Sequence, residues 1–241
     1  MYLHKKIFDI FKKIGLNHFY GDFFDSRFYI SYLLSKRQLK NILDIGCGVG
    51  VLLEAAPNCF KVGTDISFES LINGKRLNKN IEYVQCDAQF LPFKNECFST
   101  VTAMHLFPVI NIHGGDWKLA IKEVKRITSK HSEVLITGAN RTSRHFQTTH
   151  RLEDRRKYLK HVEQTKEFED KFEVSLEGWG PHSKIIMFPF KLIYKIPDFI
   201  NEKFGIEKLL YRISKSEKYL EDGRSYLIIC KSINENRRLG S

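Results

Sequence analysis

Three glycines, Gly46, Gly48 and Gly50, stand at alternate positions directly after a short apolar run. Glycine lets the main chain approach a ligand closely, and amides at the start of a helix can donate hydrogen bonds to an anionic group. Dinucleotide sites favour the pattern GxGxxG or GxGxxA, whose third small residue would fall on Val51. The third glycine comes one position earlier here, so the spacing favours a different nucleoside ligand over NAD.

Two carboxylates follow at points where predicted strands end. Asp65 stands nineteen residues after Gly46, near the distance at which a carboxylate accepts hydrogen bonds from the two hydroxyls of a ribose. Asp87 closes the next strand and could accept from an exocyclic amine, while the amide of Ala88 could donate to a ring nitrogen. Each residue alone could be an ordinary turn or capping residue. Because the ends of parallel strands meet at one edge of a sheet, the set predicts a single nucleoside site.

The stretch from Asn41 to Thr137 carries four motifs in order along the chain. They are Leu43-Asp44-Ile45-Gly46-Cys47-Gly48-Val49-Gly50, Gly63-Thr64-Asp65-Ile66-Ser67, Asp87-Ala88-Gln89-Phe90-Leu91-Pro92-Phe93 and the strand-four segment that ends at His105. On these motifs the stretch resembles a class I S-adenosylmethionine-dependent methyltransferase, in particular the type 11 group of small-molecule methyltransferases. The motifs are specific for fold and cofactor, and they say little about the methyl acceptor.

The resemblance implies S-adenosylmethionine as cofactor and S-adenosylhomocysteine as product. The residues it implies are Asp44 and the backbone at Gly46, Gly48 and Gly50 for the methionine part, Asp65 for the ribose, and Ile66, Asp87 and Ala88 for the adenine. One departure concerns the turn before strand five, where family members usually carry Lys-Pro-Gly-Gly. This chain has Ser129-Lys130-His131-Ser132 instead, so the turn must be built differently.

A sulfonium carries an already activated methyl group, so the protein mainly has to hold the acceptor in line with it and exclude water. If the acceptor is a hydroxyl or an acidic carbon, a general base helps. The best placed candidates are His105, at the end of strand four, and His113, in the following loop. Either histidine could instead be a structural or solvent-facing group. We expect no metal site, because methyl transfer by positioning needs none and the pair His145 and His150, after strand five, is poorly spaced for one.

The elements that must position these residues follow from short apolar runs that alternate with longer helical patterns, which is typical of βαβ units. The predicted fold is α/β, with a Rossmann-like, seven-stranded, mostly parallel sheet, helices on both faces, an N-terminal helical extension and an insertion before the last strand. The predicted strands are 41–45, 60–64, 81–86, 98–104, 133–137, 172–176 and 226–231, and the predicted helices are 50–56, 68–77, 117–128 and 152–168. We expect residues 1–40 to form the extension and residues 41–238 the catalytic domain.

The insertion, residues 179–223, is far longer than the loop that an antiparallel strand pair needs. Its apolar content predicts that it packs over the strand ends and walls an acceptor pocket. The candidate lining residues are Trp179, Phe188, Phe190 and Tyr194. Lysines interleaved with these aromatics could also contact anionic lipid headgroups. Alternatively, the insertion only covers one edge of the sheet.

The formal net charge of +11 makes nucleic acid, anionic lipid and phosphorylated substrates more plausible partners, without choosing among them. Five cysteines without a CxxC pair favour reduced thiols and a cytoplasmic location. No uncharged apolar run is long enough to span a membrane. We therefore expect a methyltransferase for a small, apolar or lipid-like acceptor, with peripheral membrane contact as an option. An RNA methyltransferase and a non-catalytic S-adenosylmethionine-binding subunit remain alternatives.

Overall fold

The structure is a computed structural model that describes residues 26–140, 157–179 and 225–233, together with isolated residues at 153, 200, 203–205, 208, 209 and 212. The strands are β1 Asn41–Ile45, β2 Phe60–Asp65, β3 Glu82–Gln85, β4 Phe98–Met104, β5 Thr128–Ala139, β6 Phe172–Trp179 and β7 Ser225–Ser232. The main helices are α1 Ser26–Ser35, α2 Val51–Ala55, α3 Phe68–Leu77, α4 Leu106–Ile112, α5 Trp117–Ile127 and α6 His161–Lys166. None of the described helices is long and apolar enough to cross a membrane.

The strands form one seven-stranded sheet in the order β3-β2-β1-β4-β5-β7-β6. Strands β1 to β5 pair in parallel, and β7 lies antiparallel between β5 and β6. The predicted Rossmann-like, mostly parallel sheet is therefore confirmed. The chain runs outward from β1 to β3 and then returns to β4 on the other side of β1. Such a reversal of strand order opens a crevice at the carboxyl ends of the central strands.

The central strands are apolar on both sides because each face of the sheet carries helices. On one face, α1 and α2 pack around Ile42, with Tyr29 and Leu53 among the fully buried side chains. On the other face, α4, α5 and α6 pack around Leu43 and Val101. This two-sided burial explains why residues 42–45 of β1 are all buried, including Asp44, with no alternation between buried and exposed positions. It also holds the strand ends in fixed positions relative to one another.

Helix α1 lies in the predicted N-terminal extension and packs directly on the sheet. Its Tyr29 hydroxyl donates to the Glu177 carboxylate on β6, and Arg37, just after the helix, pairs with Glu133 on β5 at 2.7 Å. These contacts attach the end of the extension to the β5–β7–β6 side of the sheet. Residues 1–25 lie outside the described residues.

Four elements differ from the sequence-based prediction. The helix predicted over 152–168 is wrong in its extent, because residues 158–160 are not helical and the described helix, α6, covers only His161–Lys166. Helix α4 was not predicted because Pro108 interrupts its pattern, but Pro108 is the third residue of the helix, where no intrahelical donor is needed. Strand β5 begins at Thr128, not at 133, and its register with β4 shifts across residues 129–132. In place of the usual family turn, Ser132 is held by Ser232 of β7, with the two hydroxyl oxygens 2.8 Å apart. Strand β6 extends to Trp179, where the insertion was expected to begin.

Gly138 and Tyr226 form a tightly packed cross-strand pair between β5 and β7. Gly138 lies opposite Tyr226, whose fully buried ring occupies the space that a Cβ at position 138 would need. We expect Gly138→Ala to lower the free energy of unfolding by about 1–3 kcal/mol in urea denaturation, because overpacking in a core is costly. In a Tyr226→Leu background the same change should cost clearly less. Equal costs in the two backgrounds would contradict the packing described here.

Candidate functional site

A cavity of about 480 Å³ opens at the carboxyl ends of β1, β2 and β4, at the point where the strand order reverses. It brings together seven of the ten residues predicted as cofactor or catalytic residues, namely Gly46, Asp65, Ile66, Asp87, Ala88, His105 and His113. The rest of its lining is Ile45, Thr64, Cys86, Gln89, Met104, Leu106, Val109, Ile110 and Gly115. A volume of this size is typical of a small-molecule site, and most of these side chains are apolar.

The glycine loop after β1 is closed onto β2 by its own amides. The amides of Gly46 and Cys47 donate to the carbonyl oxygen of Thr64 at 2.8 and 2.9 Å, and the amide of Gly48 donates to Asp65 Oδ2 at 2.8 Å. Gly46 and Gly48 have φ values of 73° and 55°, in the left-handed region that glycine adopts without strain. These three amides are therefore engaged inside the protein and do not form the anion-binding site that the sequence suggested.

Asp65 is oriented by the backbone on both sides. Its Oδ2 accepts from the amide of Gly48, and its Oδ1 accepts from the amide of Ser67 at 2.9 Å. Each carboxylate oxygen has a second acceptor position. The carboxylate thus reaches the cavity in a fixed orientation, with one acceptor position per oxygen beyond those two bonds.

Three predicted cofactor residues are absent from the described lining of the cavity. Asp44 is buried in β1 and accepts a hydrogen bond from the hydroxyl of Thr102 on β4 at 2.6 Å. Gly50 has a φ of 81°, and a Cβ there would meet the hydroxyl of Tyr83, which donates to the carbonyl of Val49 at 3.1 Å. Gly48 contributes through its hydrogen bond to Asp65. Gly50 therefore helps to build the loop, and Asp44 links β1 to β4.

Thiols near the site are held in the neutral form. Burial, reinforced by the charges of Asp44 and Asp65, raises the pKa of Cys47 far above its usual range. Burial also raises the pKa of Cys86, which lines the cavity at the end of β3. A thiol with a raised pKa is a weak nucleophile at neutral pH. Neither cysteine is therefore prepared for covalent chemistry.

Asp87 is held by Gln89, which the sequence analysis did not select as a site residue. The Gln89 side-chain amide donates to both carboxylate oxygens of Asp87, at 3.1 and 3.0 Å, and its main-chain amide donates to Oδ1 at 2.8 Å. The main-chain bond closes a turn in which an aspartate binds the backbone two residues on, a common role for this residue type. That turn was the available sequence signal for Gln89.

The segment after Asp87 is fixed to α5 by an ion pair that sequence reasoning also missed. Glu123 accepts from the amide of Leu91 at 2.9 Å and from Arg126, whose guanidinium also donates to the carbonyl oxygens of Leu91 and Phe93. The hydrogen bond from Arg126 lowers the pKa of Glu123 against the opposing effect of its partial burial. Since the two partners are far from the motif in sequence, only their i, i+3 spacing on one helix was visible.

The two candidate histidines lie at opposite ends of α4. His105 precedes the helix in a left-handed conformation, with a φ of 57°, and its amide donates to the carbonyl of Thr137 at 2.8 Å. His113 follows the helix and is exposed at the rim of the cavity. Eight residues of helical rise separate them by roughly 12 Å. Their main chains therefore border different parts of the cavity.

Neighbouring groups show which part of the cavity each histidine faces. Leu106, next to His105, lies against Gly46, where an added Cβ would come within 3.1 Å of its Cδ1. Gly115, two residues after His113, lies against Gln89, where an added Cβ would be 3.4 Å from its Nε2. His105 is thus beside the glycine loop, and His113 is beside the end of β3.

Apolar side chains border the cavity on its open side. Ile66 is 70% exposed and Val109 is 44% exposed, although both line the cavity. Phe90, next to Gln89 in sequence, is 69% exposed. Exposed apolar groups around a concave site are typical of surfaces that a ligand covers.

Most of the substrate residues predicted in the insertion lie outside the described residues. Phe188, Phe190 and Tyr194 lie outside the described residues, as does the side chain of Trp179. The backbone of Trp179 ends β6, three strands from β4 and thus roughly 14 Å from it at the usual strand spacing. Among the described residues, no group of three or more histidine, cysteine or acidic side chains could hold a metal ion.

Residues 43–136 match the model of a family described as a methyltransferase domain. The matched segment holds every residue that lines the cavity. No curated protein sequence matches the chain significantly.

Solved structures share the fold at low sequence identity. A Thermotoga maritima protein described as a SAM-dependent methyltransferase is 14% identical with a TM-score of 0.60, over 94% of this chain and 99% of the other. The plantazolicin methyltransferase BpumL, solved in complex with SAH, is 17% identical with a TM-score of 0.58, over 96% and 94% of the two chains. The [4+2]-cyclase SpnF is 17% identical with a TM-score of 0.52, over 85% and 81%. This fold therefore accommodates more than one kind of reaction.

The ion pair on α5 gives a prediction about acid stability. Because the pKa of Glu123 is lowered in the folded protein, its stabilising contribution is complete above its ordinary value of 4.5 and is lost as the pH falls through the lower folded value. We expect Glu123→Gln to cost about 1–2 kcal/mol at pH 7 in urea denaturation, and this cost should disappear toward pH 3. Glu173→Gln, at an exposed position on β6, is the control and should change neither value. A cost for Glu123→Gln that is independent of pH would contradict this assignment.

Proposed function

Given that residues 43–136 are the core of an S-adenosylmethionine-dependent methyltransferase domain with the class I fold, we propose that this protein transfers the methyl group of S-adenosylmethionine to a small, apolar or lipid-like acceptor. The observation that carries the proposal is the cavity at the reversal of strand order, because Asp65 and Asp87 enter it from the ends of neighbouring strands. Two acceptor groups at that spacing suit a nucleoside better than a purely apolar ligand.

The residues present fit the cofactor. Asp65 offers two oriented oxygens for the two ribose hydroxyls. Ile66, 70% exposed at the end of β2, offers an apolar surface for one face of the adenine, and its carbonyl is held by Gln85 at 3.1 Å. Asp87 and the amide of Ala88 would contact the edge of the base. The methionine part would lie against the backbone at Gly46, the glycine of the loop that lines the cavity.

When bound, the cofactor supplies a methyl group that its sulfonium already activates for attack. The chain then has to bring the acceptor atom into line and keep water out. Ile45, Met104 and Leu106 supply apolar wall beside the glycine loop and exclude water there. His105 lies on that same side, at the end of β4. We assign to its imidazole the removal of a proton from a hydroxyl or acidic carbon of the acceptor.

The backbone of His105 is compatible with this assignment. Histidine tolerates the left-handed region better than most residues, and the hydrogen bond from its amide to the carbonyl of Thr137 holds the backbone in that conformation. His113 lies at the other end of α4, beside Gln89, and we assign it no part in proton removal.

The apolar lining favours a small apolar acceptor. Val109, Ile110 and Leu106 of α4 border the cavity together with Ile45 and Met104. One observation favours RNA as a second candidate, namely the net charge of +11, which attracts polyanions. The described residues that line the cavity include no lysine or arginine to pair with phosphate, so we place RNA second.

Cofactor binding is tested by calorimetry with S-adenosylhomocysteine. The parent protein should bind it, and Asp65→Ala should weaken binding about 100-fold, because two hydrogen bonds to a charged group are lost. Asp170→Ala is the control. It removes an exposed carboxylate that pairs with Lys125 in the last turn of α5 and does not line the cavity, so it should leave binding unchanged. No heat with a folded parent protein would overturn the proposed function. Parent-like affinity in Asp65→Ala would overturn only the ribose assignment.

The acceptor class and the base are tested together by transfer of radiolabelled methyl groups from S-adenosylmethionine into a cell extract. We expect the label in the fraction soluble in chloroform and methanol, whereas label in precipitated RNA would support the second candidate. His105→Asn should reduce transfer at least about 100-fold, since asparagine keeps the left-handed backbone and lacks a titratable group. His113→Asn is the matched control.

Affinity for S-adenosylhomocysteine should stay unchanged in both histidine variants. Loss of transfer in His113→Asn with full activity in His105→Asn would reverse the assignment of the base. A loss of cofactor affinity in His105→Asn would show that His105 acts in binding and not in proton removal.

A further inference from the structure

The side chain of Gln89 fixes the orientation of the Asp87 carboxylate. Gln89 Nε2 lies 3.1 Å from Oδ1 and 3.0 Å from Oδ2, and the Gln89 amide lies 2.8 Å from Oδ1. Since all three bonds come from one residue, the carboxylate cannot rotate without breaking them. Without the Gln89 side chain, the main-chain amide of residue 89 would be the one group among the described residues that still donates to this carboxylate.

The orientation of the Gln89 amide is in turn fixed from its other side. Gln89 Oε1 accepts from the main-chain amide of Asp116 at 2.7 Å. Because the oxygen must face that donor, the nitrogen must face Asp87, and the alternative amide orientation would lose both interactions. Asp116 is itself fixed, since its side chain caps α5 by accepting from the amides of Lys118 and Leu119 at 2.9 and 3.1 Å.

Close packing keeps this arrangement in place. A Cβ on Gly115 would come within 2.7 Å of Cγ2 of Ile110 and 3.4 Å of Gln89 Nε2, so the loop before α5 lies directly against the glutamine. Gln89 and Gly115 both line the cavity. The glutamine thus connects the end of β3 to the start of α5 at the cavity wall.

The count of acceptor positions on Asp87 shows what ligand group it selects. A carboxylate has about four acceptor positions, two on each oxygen. Gln89 fills two on Oδ1 and one on Oδ2, so one position on Oδ2 remains beyond these bonds. At this position Oδ2 can accept a hydrogen bond from a ligand donor such as an exocyclic amine, whereas a carbonyl oxygen of the ligand would be repelled.

We propose that Gln89 is a positioning residue that aims the Asp87 carboxylate at the exocyclic amine of the cofactor's base and thereby makes the site select adenine over hypoxanthine. This inference rests on the proposed function, because it assumes that an adenine nucleoside enters the cavity. Gln89 acts through Asp87 and needs no contact with the reacting atoms.

The experiment compares two ligands by calorimetry, S-adenosylhomocysteine and S-inosylhomocysteine, in which a carbonyl oxygen replaces the exocyclic amine. The parent should prefer the adenine ligand. Gln89→Leu keeps a similar volume and removes both polar atoms, and it should weaken S-adenosylhomocysteine binding about tenfold while leaving the inosine ligand nearly unchanged. A purely structural role would weaken both ligands equally, and that outcome would overturn the proposal.

A second variant separates the donor from the acceptor of the glutamine. Gln89→Glu can still accept from the amide of Asp116 but cannot donate to Asp87, so it should lose the adenine preference as Gln89→Leu does. Full preference in Gln89→Glu would overturn the proposal. Gln38→Leu, at an exposed position between α1 and β1, is the control and should behave like the parent. If the parent binds neither ligand, it is the proposed function that fails.

Discussion

The end of β2 determines the shape of the loop that follows β1. A buried or half-buried amide must find a partner, and the carbonyl of Thr64 and the carboxylate of Asp65 provide partners for three successive amides of the glycine loop. The loop can therefore follow a left-handed path across the top of the sheet without leaving donors unpaired. Since β1 and β2 are themselves held in register by five residue pairs, the loop inherits the rigidity of the sheet.

The other wall of the cavity is positioned by α5. The ion pair of Glu123 and Arg126 holds the main chain around Leu91 and Phe93, while the first turn of the same helix contacts Gln89 through Asp116. One helix therefore fixes the segment after β3 at two separate points. The two carboxylates that follow β2 and β3 are consequently held in different ways. The sheet supports Asp65, and a helix that packs on the sheet supports Asp87 through Gln89.

The sequence was sufficient to predict the strands and their mostly parallel arrangement, because apolar runs of strand length alternate with helical patterns. It was also sufficient to find the residues at the strand ends that line the cavity, since Asp65 and Asp87 follow buried strands directly. It did not indicate that Asp44 and Gly50 are absent from the described lining of the cavity, because this depends on partners such as Thr102 and Tyr83 that are distant in sequence. Arg126 was missed because the carbonyls that it binds, at Leu91 and Phe93, are distant in sequence. Gln89 was missed although its partner Asp87 is only two residues away.

The conformation of residue 105 restricts how the chemistry of this site can change during evolution. A left-handed backbone accepts histidine, asparagine, aspartate and glycine readily and penalises branched or bulky side chains. Among these, only histidine and aspartate can carry a proton between the acceptor and solvent. A lineage that keeps this backbone can therefore exchange a neutral base for a carboxylate in one substitution, or lose the base altogether.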